Sequence, residues 1–323
     1  MGSNYFVRQL IGVVLAFTCT VLSAQEAWPS KPISLVVPFA AGSGTDSVAR
    51  VMAQKLSERL KQQVVVDNKA GASAQIGAEF VSKAKADGYT LLMTTNTSHS
   101  ANPSLFKTLR YDPIKDFTPI VRTGDLPFAL VVNASSPIKT VKDLIENARA
   151  NPGKFSYATP NSTSLVSSET IRVMAKIDIL GIPYKSSPQA LTDLIGGQVQ
   201  MYVVDFGSGL PSMKAGKVRV LASMAAKRSS ILPEVPPMAD TLPGFDLISW
   251  NGIFGPAALP RPIVERLANE IQALLAEKDV QEKLANIGFE VSPSKSPEEF
   301  SKYVSDQLAL WSRLIRQANI QPE

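Results

Sequence analysis

At 323 residues, with 45% apolar and 19% charged residues, the chain is long enough for two lobes, each with a sizeable core. Its single cysteine excludes a disulfide framework and cysteine-ligated zinc, and its single histidine excludes a multi-histidine metal site. The net charge of +5 is spread without a basic run or basic–aromatic stripe, which excludes a nucleic-acid partner and leaves only a mild preference for anionic solutes.

Residues 1–24 read as a secretory signal peptide. Arg8 precedes the apolar run Leu10–Phe17, and the small-residue stretch Val21-Leu-Ser-Ala24 supplies the cut. That run is shorter than the ~20 residues a membrane-spanning helix needs. Cys19 lies within residues 1–24, just after that run, and Ala16-Phe17-Thr18 fits a lipoprotein signal poorly. Cleavage after Ala24 predicts a periplasmic chain without cysteine.

The first element of the mature chain is the most informative. Ile33-Ser-Leu-Val-Val37 reads as a strand, Pro38 to Gly44 as a small-residue turn, and the following residues as a helix. Val48, Val51, Met52, Leu56 and Leu60 cover one face of that helix. A strand, a glycine-bearing turn and a helix N-terminus leave backbone N–H groups aimed at one spot, which suits an anion. The turn has no lysine and no third glycine, so it lacks the P-loop and dinucleotide signatures. A carboxylate is the expected guest.

Val64-Val-Val66 reads as a second strand, Ile76–Ala84 as a helix and Tyr89-Thr-Leu-Leu-Met93 as a third strand. Phe128-Ala-Leu-Val-Val132 begins a second lobe, and Thr140 caps a helix over Val141–Ala150. Phe155–Ala158, Leu165–Met174, Leu191–Ile195 and Met201–Val204 continue the strand–helix alternation. Residues 228–262 are proline-rich and aperiodic, and read as a return crossing over the surface. Ser296-Pro-Glu-Glu299 opens the last helix, whose apolar face is Phe300, Val304, Leu308, Trp311 and Ile315. The order predicts an α/β two-lobed periplasmic-binding-protein (Venus flytrap) fold. Each lobe is a mostly parallel sheet flanked by helices, and two crossing segments join them. The expected division is 25–125 with 250–323 as lobe I and 126–249 as lobe II.

Several motifs recur in order along the chain. Trp28-Pro-Ser-Lys-Pro32 leads to Val37-Pro-Phe39, then come Val66-Asp-Asn68, Ala70-Gly-Ala72 and Asp87-Gly-Tyr-Thr-Leu91. Asn102-Pro-Ser-Leu105, Tyr111-Asp-Pro113 and Asp116-Phe-Thr-Pro119 follow. Pro183-Tyr-Lys185, Gly196-Gly-Gln198, Gly216-Lys-Val-Arg219 and Trp250-Asn-Gly252 complete the series. In this order the chain resembles the periplasmic solute-binding subunits of tripartite tricarboxylate transporters, the Bug family, from about Trp28 to Ala318. The resemblance implies a cleft between two α/β lobes that binds a small carboxylate, membrane transporter subunits as partners, a monomer, and no cofactor or metal. It departs from the family pattern at Ala40-Ala41-Gly42-Ser43-Gly44, at Thr159–Ser164 and at Ser186, all of which add small, hydroxyl or amide groups to the cleft.

The resemblance implies that Phe39, Ala40, Ala41, Gly42, Ser43, Gly44, Thr45 and the supporting Asp46 form the first cleft loop. Pro160, Asn161, Ser162, Thr163 and Ser164 form the second, where the same residues also suit a helix cap. Ser98 and His99 lie after the third strand, Ser187 follows Ser186, and Asp205 and Phe206 stand at the cleft edge. Phe39 and Phe206 read either as ordinary lobe packing, the commoner fate of a loop phenylalanine, or as stacking on an aromatic ligand ring. The polar cleft with nearby phenylalanines makes terephthalate a first candidate. Asp205 reads either as an acceptor for a ligand hydroxyl or amine, or as a solvated loop acid. His99 reads as a ligand contact, a pH-sensitive hinge element or a plain loop residue, and Trp250 as packing near the hinge. Two other functions fit less of the sequence: a sensor-only carboxylate receptor, and a secreted hydrolase using His99. Gly71-Ala-Ser-Ala-Gln75 lacks the last glycine of a nucleophile elbow.

Overall fold

The computed structural model describes residues 28–323, so the signal-peptide reading lies outside the described residues. The chain enters through β1 (Ile33–Val37), α1 (Gly44–Leu60), β2 (Val64–Asn68), α2 (Gln75–Ser82) and β3 (Thr90–Thr95). The apolar face of α1 packs as its spacing predicts: Val48, Met52, Leu56 and Leu60 are buried and Val51 is partly so. A π-helical turn (Thr97–Ala101) and α3 (Asn102–Leu105) lead to β4 (Phe117–Leu126).

Pro127 then carries the chain to β5 (Phe128–Asn133) and α4 (Val141–Ala150). Thr140 and Asp143 form a reciprocal capping box at the start of α4. β6 (Phe155–Thr159), α5 (Ser162–Ala175), β7 (Ile179–Pro183), α6 (Ser187–Ile195), β8 (Met201–Asp205), α7 (Phe206–Lys214) and β9 (Val218–Ser223) follow. The chain returns through β10 (Ser249–Pro256), α8 (Arg261–Leu275), α9 (Lys278–Asn286), β11 (Glu290–Val291) and α10 (Pro297–Gln317).

Two sheets result. The first has six strands in the order β11-β4-β10-β3-β1-β2, the second five in the order β7-β6-β8-β5-β9. The two-lobed α/β architecture is as expected, but the sheets are mixed instead of mostly parallel. β1 pairs in parallel with β2 and β3, and β6 with β7 and β8, through helical crossovers. β10 runs antiparallel between β3 and β4, and β5 antiparallel between β8 and β9. These are the strands on which the chain arrives from the other lobe, so no crossover helix sets their direction.

The proline-rich stretch needs a second correction. Its end, Ser249–Pro256, is an interior strand of the first sheet with every residue buried. A strand covered on both faces shows no polar–apolar alternation, so its period carried no signal. Trp250 belongs to the core of that lobe, with ring centroids 5.8 Å from Phe300 and 6.4 Å from Phe254. The last helix buries Phe300, Val304, Trp311 and Ile315, with Ser296 as its N-cap.

Candidate functional site

Four strand-to-helix junctions face one another between the lobes. α1 follows β1 in the first lobe, and α5, α6 and α7 follow β6, β7 and β8 in the second. Each helix is opened by a short polar N-cap: Ser43, Asn161, Ser186 and Asp205. Helix N-termini at the carboxyl ends of strands are where open α/β sheets bind ligands, because each end carries roughly half a positive charge and unpaired N–H groups.

These ends enclose a small inner cavity. Its first-lobe wall is Phe39, Ser43, Gly44, Thr45, Thr95, Thr97, Leu126 and Ser249; its second-lobe wall is Phe128, Asn161, Thr163, Ser187 and Asp205. Its volume is about 20 Å³, room for one water. Phe39, Ser43 and Ser187 also line an outer chamber of about 620 Å³, shared with Ala40, the loop Ala70–Ala74, Pro160 and Tyr184–Ser186. Among the described residues, Lys185 is the one charged side chain on its wall.

The first loop is held by Asp46. Its carboxylate accepts from the Gly42 N–H at 2.9 Å, from Arg50 at 3.0 Å and from the Asn68 amide at 2.9 Å. Asn68 also donates to the Phe39 carbonyl at 3.0 Å. Burial opposes ionisation, yet the bonds from Arg50, Gly42 and Asn68 hold the Asp46 carboxyl below its ordinary value. Asp46 therefore supports the loop from behind and leaves the cavity wall to its neighbours. Ala41 is exposed and Gly42, at φ +79°, takes the left-handed turn; neither lines either cavity.

In the second loop the cap and the cleft wall share residues. Asn161 Oδ1 accepts from the Ser164 N–H at 2.9 Å, while Asn161 and Thr163 line the inner cavity. Ser164 is wholly buried and donates to the Val203 carbonyl at 2.7 Å, so it anchors α5 to β8. The lobes also touch directly. Asn96 donates to Thr163 Oγ1 at 3.0 Å and Ser162 donates to Thr97 Oγ1 at 2.9 Å. Backbones meet at Gly44 and Gly207, where a methyl on Gly207 would lie 2.4 Å from Gly44 Cα.

Three further sequence candidates, Ser98, His99 and Phe206, are not brought to the cleft. His99 is wholly buried in the first lobe, with ring centroids 4.0 Å from Phe254 and 4.5 Å from Phe117. Burial drives its pKa down to about 3, so the ring is neutral and its Nδ1 meets only Ser98 Oγ at 2.9 Å. Ser98 bonds back to Thr94 at 2.6 Å. Phe206 is buried in the second-lobe core, its N–H donating to the Pro127 carbonyl at 2.9 Å. The loop after β3 does reach the cavity, but through Thr95 and Thr97, because the π-helical turn sends Thr97 across to Ser162 and His99 inward. Leu126, Phe128 and Ser249 were also not anticipated. They sit at the two crossings, which only the paired sheets bring together.

A cleft between two α/β lobes, lined by helix N-termini from both, defines a two-lobed solute-binding protein. The receptor model of the tripartite tricarboxylate transporter family matches residues 48–320, and the chain belongs to that family. It is 37% identical to the UPF0065 protein of the tcbD-tcbE intergenic region of a Pseudomonas species, covering 95% of this chain and 93% of that one. It is 31% identical to protein BugT of Bordetella pertussis, covering 96% and 98%. Among solved structures, an R. palustris protein with adipate superposes with a TM-score of 0.89 at 35% identity, covering 92% of this chain and all of the other. MatC of Rhodopseudomonas palustris, with bound malate, superposes with a TM-score of 0.83 at 29% identity, covering 89% and 100%. The family is a periplasmic solute receptor family, and the chain is a binding protein and not an enzyme.

Proposed function

We propose that the chain captures a small organic carboxylate between its lobes in the periplasm and delivers it, as a monomer, to the membrane subunits of a tripartite tricarboxylate-type transporter. The observation that carries this reading is the convergence of four helix N-termini, one from the first lobe and three from the second, on one cavity. A carboxylate there accepts N–H bonds from α1 together with the Ser43 and Thr45 hydroxyls. Its other face meets Asn161, Thr163 and Ser187 only when the lobes close, so closure follows from a higher affinity for the closed state. The rest of the ligand extends into the outer chamber, past Phe39 and toward Lys185. The division into 25–125 with 250–323 and 126–249 is part of this reading, and the sheet memberships support it.

The inner cavity has room for one water, so one carboxylate sits at its mouth against the helix ends beside Ser43 and Ser187, and the outer chamber has room for a spacer and a second acid. A dicarboxylate is therefore the favoured ligand, with terephthalate as the aromatic candidate. The adipate and malate found with two relatives support the aliphatic dicarboxylates as alternatives. The test is a thermal-shift screen of the refolded mature protein against terephthalate, adipate, malate, citrate, glutamate and nicotinate. At 100 times its Kd, a ligand adds about 2.7 kcal/mol of stability. A clear rise in Tm with one chemical class names the ligand, and a flat response from folded protein across all six overturns the reading.

A further inference from the structure

The inner cavity has an unexpected charge for a carboxylate site. Among the described residues, no lysine, arginine or histidine lines it, and its one charged side chain is itself an acid, Asp205. Asp205 is only 3% exposed. One side of its carboxylate caps its own helix: Oδ1 accepts from the Ser208 N–H at 2.7 Å and Oδ2 from the Ser208 hydroxyl at 3.0 Å. The other side faces across the cleft, since a methyl placed on Gly44 would lie 2.2 Å from Oδ1. An acid from the second lobe thus stands against the first turn of α1, where the ligand's carboxylate is expected.

Among the described residues, nothing nearby cancels this charge. On α1 the nearest acid is Asp46, already held by Arg50, and on β8 Tyr202 keeps its proton because of burial. β5 has no charged residue, Lys214 is at the far end of α7, and Asp193 lies beyond the first turn of α6. Where β4 ends, Asp125 is paired with Arg122. The helix ends supply only partial charges, and α7 spends its own on the Asp205 cap. Burial accordingly pushes the Asp205 carboxyl above its ordinary value, although the Ser208 and Gly44 N–H groups oppose the rise.

Two carboxylates a few ångströms apart in a water-poor site cannot both stay ionised. We propose that Asp205 and the ligand carboxylate share one proton in the closed cleft, so that capture of the anion takes up a proton from solvent. Both acids enter ionised, bulk water supplies the proton, and an O–H···O⁻ bond forms between them. This inference rests on the carboxylate-binding reading. The sign follows from linkage: the complex holds one more proton than the separated partners, so affinity rises as pH falls, by at most about tenfold per pH unit.

The test is calorimetric titration of the mature protein with adipate at several pH values, in phosphate and in Tris, which differ in ionisation heat. Wild type should show buffer-dependent heat equal to uptake of up to one proton. Asp205→Asn keeps the helix cap and should bind with no uptake and a pH-independent affinity. Adipate binding without proton uptake overturns the inference and leaves the carboxylate reading intact. If adipate does not bind, the same titration is made with the dicarboxylate that raises Tm in the screen, and binding of that ligand without proton uptake overturns the inference in the same way.

Discussion

Adding one methyl group at Gly207 tests whether capture depends on contact between the lobes. Gly207 lies in the first turn of α7, and its Cβ would fall 2.4 Å from Gly44 Cα and 3.2 Å from Asp205 Oδ1. Carbon atoms pack at about 3.5–4.0 Å, so the closed lobes must part by about an ångström to admit it. Overpacking of this kind costs about 1–3 kcal/mol, and here the cost falls on the closed state only, because Gly44 belongs to the other lobe. With 1.4 kcal/mol per factor of ten, Gly207→Ala should weaken ligand binding roughly 5- to 150-fold. In the open state the change is harmless, since alanine favours a helix over glycine by about 1 kcal/mol. Tm without ligand should therefore hold or rise. Calorimetry with the best ligand from the screen reads the first quantity and a thermal melt the second. Affinity within twofold of wild type would refute the claim that the cleft must shut to this distance, and a large fall in Tm would show that the clash lies inside a lobe.

Other perturbations separate the cleft from its supports. His99→Phe should leave ligand affinity unchanged while flattening the acid side of the stability profile. A histidine that ionises near 6.5 in the unfolded chain and near 3 when folded loses stability as pH falls below 6.5, about 2 kcal/mol by pH 5. Urea denaturation at pH 7.5 and 5 reads the difference, and equal slopes in the two proteins would contradict a buried neutral ring. Asp46→Ala should cost about 1–3 kcal/mol, because it leaves Gly42, Arg50 and Asn68 without their acceptor. Its lowered pKa means that its contribution is present above the ordinary carboxyl range and lost as pH falls through the lower folded value, so the variant should be less acid-sensitive there. Gly44→Val should abolish binding without unfolding, since its side chain would collide with Asp205 across the cleft. Unchanged affinity would remove that turn from the site.

Local sequence determined a good part of this protein. The strand, small-residue turn and capped helix of 33–60 are contiguous, so periodicity and capping chemistry suffice to find them, and with them the first wall of the cleft. The caps at Thr140, Asn161 and Ser296 are local for the same reason: a side-chain oxygen reaches an N–H three residues on. Only the tertiary structure decided what depends on partners distant in the chain. β10, buried on both faces between β3 and β4, has no pattern of its own and gains its direction from the crossing that delivers it. In the polar run Thr95-Asn-Thr-Ser-His-Ser100, every residue is equally suited to a cleft by composition. The π-helical turn and the aromatic pocket of Phe117 and Phe254 send Thr97 to the cleft and His99 to the core. The position of Asp205 against Gly44 is set by closure of one lobe on the other. Residues 161 positions apart share a site because two separately folded sheets meet there, and no spacing along the chain encodes that contact.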